Sequence, residues 1–167
     1  MPAIPGLRTP RQFYWVMQQP APLAGMAYPG PATPWQAITA AGFRQVVCLA
    51  GDAPGYDPGP LQRLYTANLE DLFHGKPPQD PEREAGLIRE AVGAVFPRLQ
   101  SGEGVIVHCA GGTGRTGTLV GCILRRLGLP AWQVLDYLNE LHQARGKPGW
   151  PESAWQAWMV ENFKPEA

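Results

Sequence analysis

The run His108-Cys109-Ala110-Gly111-Gly112-Thr113-Gly114-Arg115-Thr116 places a thiol, a glycine-rich loop and a guanidinium within reach of one another. Val105-Ile106-Val107 leads into it as a short strand. After it, Leu119, Val120, Ile123, Leu124 and Leu127 recur at helical spacing and stop at Gly128. A loop between a strand and a helix is a ready anion site. Its glycines let successive backbone N–H groups converge, and the helix N-terminus adds roughly half a positive charge. The same field stabilises a thiolate at Cys109. Arg115 returns to the loop mouth, where its planar fork can hold two phosphate oxygens. The amides of Ala110, Gly111, Gly112, Thr113 and Gly114 then bind the phosphate and Arg115 orients it. The thiolate lies beneath the phosphorus for in-line attack. Thr116 can donate a hydrogen bond to the thiolate and help it leave, or serve only as a helix-start residue. His108 can fix the loop through its imidazole.

Other readings of the same residues fit less well. A Walker loop ends in Gly-Lys-Ser/Thr, whereas Gly112-Thr113-Gly114-Arg115-Thr116 has arginine where lysine belongs and the wrong glycine spacing. A dinucleotide fingerprint needs a ribose-binding acid downstream, and Gly112 through Gly117 matches only part of it. Cys48, Cys109 and Cys122 are odd in number and form no CxxC pair, which argues against a disulfide framework or a zinc site. Cys48 and Cys122 read as core residues, and neither a metal nor an organic cofactor is expected.

The 167 residues suit one domain with one core. Lys plus Arg and Asp plus Glu number 14 each, so no global basic field points to nucleic acid or an anionic membrane. No apolar run approaches the ~20 residues of a spanning helix. The proline-rich start, Met1 to Arg11, lacks the layout of a signal peptide. A cytoplasmic monomer is the expectation.

The elements that must position the loop are readable from pattern. Phe13 to Met17 and Leu23 to Ala27 read as strands. Thr33-Pro34-Trp35-Gln36 looks like a capped helix start, with Gly42 ending the helix. Gln45 to Ala50 and Leu61 to Ala67 read as further strands, with turn-rich and proline-containing loops at 51–60 and 68–79. Asp80-Pro81 opens a long helix to about Leu99, with Leu87, Ile88, Ala91, Val92 and Val95 on one face. Pro130 to Ala144 and Pro151 to Phe163 complete the helices, and Trp132, Trp155 and Trp158 have spacing suited to core packing. Strands mixed with helices in this order predict an α/β sheet covered on both faces, with no internal repeat and no second domain.

His-Cys-five residues-Arg-Thr resembles the signature of the protein tyrosine phosphatase superfamily. The likeness extends through Phe13-Tyr14-Trp15-Val16, Leu23-Ala24-Gly25-Met26-Ala27, Pro29, Gly42 and the stretch from Lys147-Pro148-Gly149 to Gln156. These look like the compact dual-specificity phosphatases, above all the small atypical members related to the Cdc14 group. The resemblance implies a central mixed, mainly parallel sheet flanked by helices, with a proline-rich extension over 1–12 and one phosphatase domain over 13–167. It also implies an upstream loop whose aspartate protonates the leaving oxygen. Asp71 is preferred, with Glu70 and Asp80 as alternatives, although Asp80 also reads as the cap of the helix at Pro81. A late glutamine positioning water is implied as well, and Gln156 is similar in placement. The neutral residues after Cys109 disfavour a highly charged inositol phosphate.

The implied substrate is a phosphorylated protein or small phosphomonoester, with phosphotyrosine foremost and phosphoserine or phosphothreonine beside it. A cysteinyl-phosphate is the implied intermediate. Two rivals remain: sulfur transfer of the rhodanese kind, which also uses a cysteine in an anion-binding loop, and a phosphate-binding protein without turnover.

Overall fold

A computed structural model describes residues 3–165. The strands are β1 (Phe13–Met17), β2 (Leu23–Met26), β3 (Phe43–Cys48), β4 (Gln62–Thr66) and β5 (Gly104–His108). The helices are α1 (Trp35–Ala40), α2 (Pro81–Gln100), α3 (Gly114–Arg126), α4 (Ala131–Ala144) and α5 (Ala154–Asn162). One sheet runs in the order β1-β2-β5-β3-β4. The β1–β2 pair is antiparallel and the other pairs are parallel. This is the mixed, mainly parallel sheet flanked by helices that the sequence predicts.

β5 occupies the middle of the sheet and all of its residues are buried, which is why it reads as an unbroken apolar run rather than an alternating one. Ile88, Val92 and Val95 of α2 and Leu119, Val120 and Ile123 of α3 form the core on one face with Val105 and Val107. Burial of each such side chain contributes ~1.5–3 kcal/mol. On the other face, Ile38 of α1 packs with Phe13, Phe43 and Ile106. β5 therefore enters the site from a rigid base, and opens at the C-terminal end of the parallel strands, where α/β folds place their ligands.

Several local expectations change. Thr33 does not cap α1: Pro34 holds the cap position, and Thr33 Oγ1 accepts from Gly30 N–H at 2.9 Å instead. The last helix starts at Ala154 rather than Pro151, because Ser153 caps it and Gln156 completes a capping box. Trp132 and Trp158 are 68 % and 53 % exposed, so they are surface residues and not core. In the proline-rich extension ahead of β1, Ile4 is buried in the α1-side core. No helix among the described residues is long and apolar enough to cross a membrane.

Candidate active site

β5 delivers Cys109 to the C-terminal end of the parallel strands, and the chain turns through residues 110–113 before α3 begins at Gly114. The turn needs glycine at 112. Its φ is +76°, and a Cβ there would sit 2.6 Å from the Met26 carbonyl oxygen. The loop's carbonyls are held on its outer side. Ala110 O accepts from Tyr28 N–H at 2.9 Å, and Gly112 O accepts from the Tyr14 hydroxyl at 2.5 Å. A planar peptide whose carbonyl is held outward directs the following N–H to the opposite side.

The loop forms one wall of a pocket of ≈ 640 Å³, lined by Cys109, Ala110, Gly111, Thr113, Gly114 and Arg115. Asp71 and Phe73 line it from the loop after β4, and Lys147 to Glu152 close it from the segment before α5. Cys109 is only 2 % exposed, so its thiol meets solvent only through this pocket. Arg115 reaches across. Its Nη1 donates to Leu69 O at 3.4 Å, and its Nη2 lies 4.0 Å from Asp71 Oδ2.

The three carboxylates weighed for the acid loop separate by their partners. Glu70 accepts from the Gln79 and Asp80 N–H groups at 2.7 and 3.0 Å, closing the loop on itself. Asp80 accepts from Arg83 N–H at 3.1 Å and caps α2, with Pro81 at its first turn. Asp71 alone of the three lines the pocket. Its Oδ1 accepts from Phe73 N–H at 3.1 Å, which holds the carboxylate toward Arg115.

His108 stands behind the thiol and does not line the pocket. Its Nδ1 is 3.2 Å from Cys109 O, and its Nε2 meets the Tyr56 hydroxyl. A carbonyl can only accept, so Nδ1 carries the proton and Nε2 accepts from Tyr56. Burial lowers the His108 pKa to about 4, which keeps the ring neutral. Thr116 is fully buried, and its Oγ1 has no hydrogen-bond partner among the described residues. Gln156 is also buried. Its Oε1 accepts from the Glu152 and Ser153 N–H groups at 2.8 and 3.2 Å in the capping box, and its Nε2 lies beside Gly114 of the pocket wall.

Sequence reasoning passed over Glu152, a pocket-lining carboxylate. Burial holds its carboxyl above the ordinary range, and the Asp71 charge adds to the effect. Its Oε1 lies against Gly114, 2.0 Å from where a Cβ at that position would stand. Trp150 Nε1 donates to Gly114 O at 3.3 Å from the same segment. Neither residue carries a spacing signal, because each meets the loop only through the chain's return after α4. Among the described residues no group of His, Cys, Asp and Glu side chains gathers as a metal site.

Solved structures share this fold. The chain is similar in structure to Tk-PTP in its active form, at 23 % identity over 84 % of this chain and 90 % of that one, TM-score 0.62. It is also similar to a kinase associated phosphatase whose catalytic site cysteine is replaced by serine, at 17 % identity over 94 % and 96 % of the two chains, TM-score 0.63. TpbA of P. aeruginosa shares 17 % identity over 86 % of this chain and 81 % of its own, TM-score 0.56. At these identities the likeness establishes the fold. The family model for PTP-SAK, the Swiss Army Knife protein with a DSP-PTPase phosphatase domain, matches residues 10–150. The chain therefore belongs to this family of the tyrosine and dual-specificity phosphatases, and its activity is that of a cysteine-based protein phosphatase.

Proposed function

We propose that the protein hydrolyses phosphotyrosine, with phosphoserine and phosphothreonine as further substrates, through a phosphocysteine at Cys109. The observation that carries the reading is the sharing of one pocket by Cys109, Arg115 and Asp71, with Asp71 4.0 Å from the guanidinium. In the first step Cys109 Sγ attacks phosphorus, the P–O bond to the substrate breaks, and Asp71 gives its proton to the departing oxygen. In the second step water attacks phosphorus, Asp71 takes a proton from it, and the S–P bond breaks to release inorganic phosphate. Arg115 and the amides of residues 110–114 hold the equatorial oxygens in both steps, so preorganised electrostatics supplies the main share of the rate. Thr116 Oγ1, buried without a partner, is free to donate to the leaving thiolate. His108 fixes the loop through the Cys109 carbonyl. Gln156, whose Oε1 caps α5 while its Nε2 lies beside Gly114, is the residue that would position the water of the second step.

The aryl preference has support in the walls. Phe73 and Trp150 both line the pocket and give it aromatic surface suited to a phenyl ring. The rest of the reading is a single phosphatase domain acting as a monomer in the cytoplasm, near the Cdc14-related small members. A panel of phosphotyrosine, phosphoserine and phosphothreonine peptides, run beside para-nitrophenyl phosphate and thiosulfate, tests it. Phosphotyrosine peptides are expected to give the highest kcat/KM. Sulfur transfer from thiosulfate without phosphate release would favour the rhodanese alternative, and phosphate binding without turnover would leave only a binding protein.

A further inference from the structure

Arg145 follows the last residue of α4, belongs to no part of the cysteine motif and is 3 % exposed. Its Nη2 donates to the carbonyls of Gly111 and Arg11, both at 3.0 Å, and its Nε to Pro10 O at 3.0 Å. Its Nη1 reaches Gly112 O at 3.3 Å, Thr113 Oγ1 at 3.1 Å and His142 Nδ1 at 2.9 Å. The guanidinium also lies 4.4 Å from the centre of the Tyr14 ring, whose hydroxyl binds the same Gly112 carbonyl. Each of these partners is uncharged.

His142 is no exception. It accepts at Nδ1, so its proton sits on Nε2, and burial followed by the Arg145 charge lowers its pKa to about 3. No carboxylate lies within ion-pair distance of Arg145 among the described residues. A buried cation with no counter-ion costs several kcal/mol of desolvation, which its hydrogen bonds offset only in part. Such a charge is best balanced by an anion that arrives from outside. Burial lowers the Arg145 pKa, and Tyr14 and then Cys109 act in the opposite sense.

We propose that Arg145 is a positioning residue and a hidden second cation of the phosphate site. It pins the Gly111 and Gly112 carbonyls behind the loop, which aims the following amides into the pocket. Its charge, neutralised by no carboxylate, acts through the loop on the bound dianion. Arg115 then grips the phosphate from the mouth while Arg145 holds the loop from beneath.

The proposal rests on the reading of this pocket as a phosphate site, and the test separates the two. The competitive Ki of inorganic phosphate, kcat on para-nitrophenyl phosphate and urea stability are measured for wild type, Arg145→Gln and Arg145→Lys. Arg145→Gln is expected to weaken phosphate tenfold or more and to lower kcat. Arg145→Lys, which keeps the charge but not the fork, should recover most of the affinity and little of kcat. Folded variants with Ki and kcat within twofold of wild type would overturn the proposal and leave Arg145 a stability residue. A wild type that neither binds phosphate nor turns over would instead strike the underlying reading. Should neither variant fold, the Arg145 Nε–H resonance of the wild type decides. It is expected to shift on titration with phosphate, and an unmoved signal would overturn the proposal.

Discussion

Asp71 Oδ2 lies 4.0 Å from Arg115 Nη2, and Asp71 is 62 % exposed at its side chain whereas Arg115 is 12 % exposed. An ion pair so open to water contributes at most ~1 kcal/mol to stability. The placement of Asp71 therefore has to be judged by its chemistry. Asp71→Asn is expected to lower kcat by roughly 10²–10⁴-fold while changing stability by less than ~1 kcal/mol. The loss should shrink for substrates with good leaving groups, which depart without a proton. The basic limb of the pH–rate profile should flatten while the acidic limb persists. Glu70→Gln and Asp80→Asn are the controls, and both should act mainly through loop and helix stability, since their carboxylates serve backbone N–H groups. A bell-shaped profile surviving in Asp71→Asn would place the acid elsewhere.

Cys109→Ser is expected to abolish turnover and to retain phosphopeptide binding, because the proposed mechanism gives the anion site to the amides and Arg115 and the attack to the sulfur alone. Isothermal titration beside a turnover assay checks this. Residual turnover comparable to wild type would be incompatible with a phosphocysteine.

Alkylation should be selective among the cysteines. Cys109 opens into the pocket, whereas burial pushes the Cys122 and Cys48 thiols up from their ordinary range. Iodoacetate at pH 6 is expected to label Cys109 first, with vanadate protecting it, as read by peptide mass spectrometry. Equal labelling of the cysteines would contradict the electrostatic account of the loop.

The two buried histidines set a pH dependence. Burial lowers His108 to about 4 and His142 to about 3, both below the ordinary imidazole value of ~6.5. The native state therefore prefers the neutral rings, and the unfolded chain binds more protons from pH ~6.5 down to those values. Their contribution to stability is fully present above pH ~6.5 and is lost as pH falls through that window, on the order of 3 kcal/mol for His108 alone. Glu84 and Glu152 act in the opposite sense, since burial holds their carboxyls above the usual range. Imidazole NMR titration isolates the histidines. Both rings are expected to stay neutral at pH 5, and a ring charging near pH 6.5 would refute the assignment.

Gly112→Ala should disable the loop. Positive φ in a residue with a Cβ costs ~1–3 kcal/mol, and the new atom would meet the Met26 backbone at 2.6 Å. Urea unfolding and phosphate affinity should fall together. A variant with wild-type phosphate affinity would show that the turn tolerates another path.

The sequence by itself determined the elements whose signals are local. β5, the glycine loop and α3 were legible because an apolar strand, conformationally permissive glycines and a helical stripe follow one another directly along the chain. Asp80-Pro81 marked the start of α2 for the same reason, since a cap acts within one turn. Position in the chain could not tell Asp71 from Glu70. The choice depends on which carboxylate the loop turns toward Arg115 and which it spends on the Gln79 and Asp80 amides. Trp132 and Trp158 followed core spacing but lie largely exposed on the surface. Tyr14, Arg145 and Glu152 surround the loop from β1, the end of α4 and the segment before α5. Their roles were invisible in sequence because neither the carbonyl hydrogen bonds of Tyr14 and Arg145 nor the contact of Glu152 with Gly114 imposes a spacing rule. The β1–β2–β5 pairing brings Tyr14, and the packing of α4 and α5 against α3 brings Arg145 and Glu152, to the back and rim of the Cys109 loop.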